Sequence, residues 1–252
     1  MRAAQHPRVV AMIPTYNEAE NIHDLVAAIR ALPVEGGVEV LVADDNSPDG
    51  TGAIVKNMAA ADPGVHLLLR LKRRGRGAGG IDGFKAALGL GADLVVEMDG
   101  DFSHQPRFIP GLVAAADRFD LVLGSRFVAG GRDADRSLLR RLITFAVRKF
   151  IRWTFRVPVQ DVSSGFRVFR REVLKALDLD ALLSTGPSVV LETLYKAHLQ
   201  GFKIGEVPID FVDRTRGQTK LNARTLVRTL LMALKFKRLY RKPSPGRRQA
   251  DG

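Results

Sequence analysis

Short apolar runs and helix-period stripes alternate through the first half of the chain. Val9-Val10-Ala11-Met12-Ile13 reads as a buried strand, and beyond it Leu25, Ile29 and Leu32 recur at helical spacing. Val38–Ala43 and His66–Leu69 read as further strands, followed by a helix near 79–90, a strand at 94–98, a helix near 106–118 and a strand at 121–123. Strand and helix alternating in this way predict an α/β fold with a mostly parallel central sheet and helices on both faces. A helix is expected at 188–200, with Glu192 as a site residue of unassigned role.

Two later segments carry a different pattern. Over 136–156, Leu139, Leu142, Ile143, Ala146, Phe150 and Trp153 fall on one helical stripe, with Arg141, Arg148 and Arg152 opposite. Over 221–240, Leu226, Val227, Leu230, Leu231 and Leu234 form a stripe, with Arg224, Arg228 and Lys235 off it. Such a stripe serves either core packing or the surface of an anionic membrane. No apolar stretch approaches the ~20 residues that span a bilayer, and no N-terminal apolar segment marks a signal peptide. The pattern predicts one domain over 1–242 and a disordered tail over 243–252, rich in Pro, Arg and Gly.

Charge sharpens this division. The net charge of +12 is concentrated: 136–156 hold seven basic residues and 220–248 hold ten, and neither contains an acid. The rest of the chain is slightly acidic, with 22 basic against 27 acidic residues, which argues against a uniformly basic nucleic-acid binder. The chain has no cysteine, so disulfides, iron–sulfur clusters and thiol chemistry are excluded.

Candidate chemistry sits where strands end. Val95-Val96-Glu97-Met98 runs into Asp99-Gly100-Asp101, whose two carboxylates at i and i+2 can face the same side and share one cation. A hard divalent ion held by only one or two carboxylates keeps positions for phosphate oxygens. An ordinary strand-end turn also accounts for the spacing. Upstream, Val38–Ala43 runs into Asp44-Asp45-Asn46-Ser47-Pro48-Asp49-Gly50-Thr51, which reads either as turn chemistry or as acceptors for a base or ribose. Thr15 or Asn17 is expected to cap the first helix, and Asp49 or Thr51 the second. Arg70, Lys72, Arg73, Arg74 and Arg76 lie among glycines in a basic loop that either approaches phosphates or is simply solvated. His104 has no partner at zinc-like spacing.

Taken in order, P-T-Y-N-E (14–18), D-D-N-S-P-D-G-T (44–51), M-D-G-D-F-S-H-Q-P (98–106), L-G-S-R-F (123–127), D-V-S-S-G-F-R (161–167) and D-R-T-R-G-Q-T-K-L (213–221) resemble the successive motifs of inverting nucleotide-sugar glycosyltransferases of the GT-A fold, and more narrowly the polyprenol (dolichol) phosphate mannosyltransferases. The resemblance implies transfer of mannose from GDP-mannose to a polyprenyl or dolichyl monophosphate, with Mg2+ or Mn2+. It implies that Pro14, Tyr16, Glu18, Asp44 and Asp45 bind guanosine, and that Asp99, Gly100 and Asp101 meet ribose, diphosphate and metal. Arg126 and Arg140 would meet the acceptor phosphate, Arg214 the donor diphosphate, and Lys220 would assist; Asp99, Asp101 and Arg126 are the expected catalytic set. The implied location is peripheral, on the cytoplasmic face of a membrane, and a small membrane-anchoring partner protein is compatible with it. Relatives commonly read G-L-G-T-A where this chain reads Gly75-Arg76-Gly77-Ala78-Gly79, and some carry Gln where it has Ser103. Two alternatives stay open: a glucosyl or N-acetylhexosaminyl transferase acting on the same lipid, and a non-catalytic basic module binding membranes or nucleic acid. The intact acidic pairs count against the second.

Overall fold

The computed structural model describes residues 6–72, 75–133, 138–211 and 223–240, with the side chains of 138–143 and 223–227 outside the description. In chain order the elements are β1 (Val9–Thr15), α1 (Ile22–Arg30), β2 (Val38–Asp44), α2 (Thr51–Ala61), β3 (Val65–Leu69), α3 (Arg76–Gly89), β4 (Leu94–Glu97), α4 (Ile109–Ala115), β5 (Leu121–Ser125), β6 (Arg132–Asp133), α5 (Leu138–Phe155), β7 (Arg167–Arg170), α6 (Arg171–Ala176), α7 (Val189–Leu199), β8 (Ile204–Pro208), β9 (Asp210–Phe211) and α8 (Ala223–Leu239). Seven strands form one sheet in the order β3-β2-β1-β4-β7-β5-β8, and β6 pairs with β9 separately. All neighbours in the large sheet run parallel except β7, which is antiparallel to both β4 and β5. The expected mixed α/β sheet is therefore present.

The strands are apolar on both faces because both are covered, as buried parallel sheets require. Val9, Ala11 and Ile13 of β1 pack with Leu25 of α1, Val55 of α2 and Leu112 of α4 in one core. Val10 and Met12, one residue out of phase, pack in a second core with Phe84 of α3, Ile151 and Phe155 of α5, Leu194 of α7 and Phe236 of α8. The expected 106–118 helix is a 3-10 turn at Pro106–Phe108 followed by the short α4.

The capping expectation for α1 is not met. Thr15 still belongs to β1 and donates its hydroxyl to Asp44 (3.0 Å), while the helix starts at Ile22 behind Asn21, with no side-chain cap. At α2, Asp49 accepts from the Thr51 amide (3.0 Å) and hydroxyl (2.6 Å), so it serves the first turn from just outside the helix.

On α5 the core takes a face beside the expected stripe. Val147 packs against the core and Ile151 and Phe155 are buried in it, whereas Phe145, Phe150 and Trp153 are exposed, Trp153 to 81%. In α8 the core takes Ala233 and Phe236, with Leu230 packed against it, and Leu231, Leu234 and Leu239 are exposed. An aromatic cluster selects the inward faces: Phe155 lies 4.9 Å from Tyr195 and 5.7 Å from Phe236, ring centre to ring centre. Both helices thus have an apolar side in the core and further apolar residues on the outside. No helix among the described residues is long and apolar enough to cross a membrane.

Candidate active site

The parallel strands β1, β2, β4 and β5 all deliver their C-terminal ends to one edge of the sheet. Strand order departs in opposite directions from β1, toward β2 and toward β4, which is where open α/β sheets form a ligand crevice. The motifs after β1, β2 and β4 meet there.

The first two motifs are interlocked. The Asn17 amide donates to Ser47 Oγ (3.0 Å), the Glu18 amide to Thr51 Oγ1 (3.0 Å) and the Ala19 amide to Asp49 Oδ2 (2.9 Å). Asp44 is fully buried: it accepts from Thr15, from the Ser47 hydroxyl (2.5 Å) and from the Ser47 amide (2.9 Å). Asp45 accepts from the Gly75 amide (2.7 Å) and pairs with Arg70, which also donates to Asp82 (3.0 Å). Arg70 is thereby buried as a strut rather than carried in a solvated loop. Pro14 remains in the β1–β2 register opposite Ala43, Tyr16 is 37% exposed beside it, and Glu18 accepts from the Asn21 side chain (3.1 Å).

Gly100 abuts both Thr15 and Glu18, which seats the D-G-D turn against the first motif. Asp101 is almost fully buried, and its Oδ1 accepts from the Ser103 hydroxyl (2.6 Å) and amide (3.1 Å). Ser103 therefore orients the carboxylate. The Asp99 amide donates to His104 Nδ1 (3.0 Å), and the imidazole stacks on Phe166 at 5.0 Å. Burial, more than any neighbouring charge, pushes the His104 pKa down, in keeping with a neutral ring that accepts at Nδ1. Among the described residues no third His, Cys, Asp or Glu joins Asp99 and Asp101 into a larger cluster. Two carboxylates offer hard oxygen donors and leave most of an ion's coordination positions to other ligands, which fits Mg2+ or Mn2+ shared with phosphate oxygens.

Arg76 reaches this pair from the start of α3. Its Nη2 lies 2.6 Å from Asp99 Oδ1 and its Nη1 3.3 Å from Asp99 Oδ2. The charge of Asp99 above all, against the cost of burial and with the help of Glu97 and Asp101, raises the guanidinium's pKa. Beneath the turn, Glu97 and Arg167 form a buried ion pair, and Arg167 also donates to the Val190 carbonyl (2.8 Å) and Thr193 (2.9 Å). The charged Glu97 inside the apolar run Val95–Met98 is the sequence signal for this pair.

Across β7 lies the second half of the crevice. Arg126 follows β5 and grips Asp161 with Nε (2.7 Å) and Nη2 (2.8 Å), while Nη2 also donates to Ser163 (2.8 Å). Burial would raise the Asp161 carboxyl, yet these bonds and the Arg126 charge hold it below the usual carboxylate range. Arg140 lies in α5 with its side chain outside the description, and Arg214 and Lys220 fall outside the described residues. Glu192 is not a crevice group: fully buried, it accepts from the Leu183 (2.7 Å) and Ser184 (2.8 Å) amides and from the Tyr240 hydroxyl. It thus fixes the 183–186 loop, whose Thr185 and Gly186 backbone presses on Gly77 so closely that a Cβ there would lie 2.5 Å from it.

A family model for glycosyl transferase family 2 matches residues 10–178. The undecaprenyl-phosphate mannosyltransferase of Micrococcus luteus is 40% identical over 215 residues, covering 85% of this chain and 88% of that one. The polyprenol monophosphomannose synthase of Mycolicibacterium smegmatis is 38% identical over 218 residues, covering 85% and 81%. Among solved structures, glucosyl-3-phosphoglycerate synthase from Mycobacterium tuberculosis in complex with Mn2+, UDP-glucose and phosphoglyceric acid matches with a TM-score of 0.66 at 21% identity, over 95% of this chain and 82% of that one.

Proposed function

Because the chain belongs to glycosyl transferase family 2 and has the GT-A fold, we propose that it transfers mannose, with inversion, from GDP-mannose to a polyprenyl or dolichyl monophosphate. The observation that carries this reading is the Asp99-Gly100-Asp101 turn at the end of β4, seated against the first motif in the crevice, in a chain so similar to two polyprenyl-phosphate mannosyltransferases. The M. luteus and M. smegmatis relatives supply the sugar and the acceptor; the donor nucleotide and the metal are our assignments.

The acceptor nucleophile is a phosphate oxygen, already largely anionic near neutral pH because its second pKa is about 6. A strong general base is unnecessary. The protein's task is alignment and charge neutralisation on both sides of the anomeric carbon. Pro14, Tyr16 and Glu18 form the guanosine side, on loops that Asp44 and Asp45 hold in shape. A divalent ion held by Asp101 and Asp99 would neutralise the departing diphosphate. Ser103 fixes Asp101 for that role, and His104 fixes the backbone of Asp99. Arg214 and Lys220 add positive charge on the donor side. Arg126, whose Nε and Nη2 are held by Asp161, and Arg140 supply the positive charge that receives the acceptor phosphate.

The lipid acceptor requires a membrane-facing mouth. We assign this to α5 and α8, whose exposed Phe145, Phe150, Trp153, Leu231, Leu234 and Leu239 lie among Lys and Arg. Attachment would be peripheral.

Titration of the protein with GDP and UDP, each with and without Mn2+, tests the donor assignment. GDP should bind more tightly than UDP, and only weakly without metal. If UDP competes better in the transfer assay, the donor is a UDP-sugar and the glucosyl or N-acetylhexosaminyl reading replaces this one.

A further inference from the structure

We propose that Arg76 is a built-in counter-cation of the Asp99-x-Asp101 turn, competing with the divalent ion for Asp99. The inference rests on the assignment of Asp99 and Asp101 as the metal-facing pair. It draws on three observations beyond the ion pair itself.

First, Arg76 is fixed at its root. It is the first residue of α3, the preceding Gly75 amide is held by Asp45, and the following Gly77 lies against the Thr185–Gly186 backbone. The helix start cannot retreat from the crevice without breaking these contacts. Second, room has been left for the guanidinium. A Cβ on Gly165, in the loop entering β7, would lie 2.7 Å from Arg76 Nη2. Gly165 has no positive φ, so the space it leaves, not its backbone, is what the arginine uses. Third, the guanidinium sits in the field of Asp99, Glu97 and Asp101, and its Nε is buried with no hydrogen-bond partner. Its fork is aimed at the carboxylate and its remaining donor is idle.

A guanidinium stays charged at any physiological pH. The competition is therefore constant, and a divalent ion must displace Arg76 from Asp99 to gain that ligand. The metal-free protein should keep Asp99 neutralised and ordered, and should bind a bare divalent ion weakly.

Binding of Mn2+ alone to the metal-stripped full chain, followed by the electron paramagnetic resonance signal of free Mn2+, tests this without reference to turnover. Arg76→Leu should bind Mn2+ at least tenfold more tightly than the unaltered chain, a change of about 1.4 kcal/mol. Arg76→Lys, which keeps the charge, should stay within about threefold. Gly165→Ala retains the arginine but crowds it off Asp99. It should shift affinity in the same direction as Arg76→Leu by a smaller factor, and it decides the matter should the leucine variant melt too low to assay. Unchanged or weaker Mn2+ binding in these variants overturns the inference while leaving the metal assignment intact. If neither the unaltered chain nor any variant binds Mn2+, the metal assignment and this inference fall together.

Discussion

The two acidic pairs of this crevice look alike in sequence and differ in what surrounds them. Asp44 and Asp45 follow β2 and hold the architecture: hydroxyls, amides and the buried Arg70 meet their oxygens. Asp99 and Asp101 follow β4 and are held in place through their turn, by Ser103, by His104 and by Gly100 against the first motif. The cation that meets Asp99 reaches across from a different element. The cation of Asp45, Arg70, is 3% exposed and locked in the fold, so that carboxylate is a structural part. The cation of Asp99, Arg76, is 34% exposed, so that carboxylate is placed for exchange. The contrast predicts that the pairs separate stability from activity.

The largest effect belongs to Asp101→Ala. Turnover should fall by at least about 10³-fold, roughly three steps of 1.36 kcal/mol in the barrier, while the melting temperature stays within a few degrees. Full activity without a divalent metal would remove the basis of the contrast.

On the far side of β7, Asp161 is a buried carboxylate of the Asp44 kind. Asp161→Asn should cost about 3 kcal/mol of folding stability, because Arg126 loses the carboxylate charge it grips and is left with Asp133, 3.8 Å away, as an anionic neighbour. The sign with pH follows from its depressed carboxyl. The contribution is fully present above the unfolded value near 3.9 and is lost as pH falls through the lower folded value. Denaturant unfolding of both proteins should therefore show a constant gap at neutral pH that narrows below about pH 4. A gap that widens in acid would refute the ion-pair account.

Asp44→Ala should cost about 2–3 kcal/mol, since it leaves buried donors unpaired, and this amounts to several degrees of melting temperature in a chain of this size. Calorimetry with GDP titration sharpens the comparison: lost nucleotide affinity with intact stability would make Asp44 a ligand group like Asp101.

The smallest effect lies outside the crevice. Phe145→Ser with Trp153→Ser should weaken co-sedimentation with anionic vesicles about fivefold and leave GDP binding unchanged, because both side chains are exposed. Unaltered vesicle binding would assign this face to another partner.

Much of this was legible in the chain. Strands flagged themselves as apolar runs because both sheet faces are buried, and the order of motifs marked the crevice. What escaped reading had one cause: it depends on which side of an element meets which neighbour. The stripe on α5 had two apolar faces, and only the Phe155–Tyr195–Phe236 contacts decide which turns inward. Arg70 and Arg76 looked equivalent among glycines, yet one became a strut and the other a crevice cation. The role of Glu192 could not be read without knowing that Tyr240 returns to it from α8.

The reversed strand β7 has a consequence of its own. An edge built only from parallel strands collects the loops that leave those strands, and each next strand must begin on the opposite edge. A single strand run backwards adds, in the middle of that edge, a loop that arrives instead of departs. The segment carrying Asp161 and Gly165 enters the crevice this way, between the ends of β4 and β5, with Glu97 and Leu123 both in register with Arg167. One change of direction thus gives the two halves of the crevice, to which we assign donor and acceptor, a shared wall anchored from below by the Glu97–Arg167 pair.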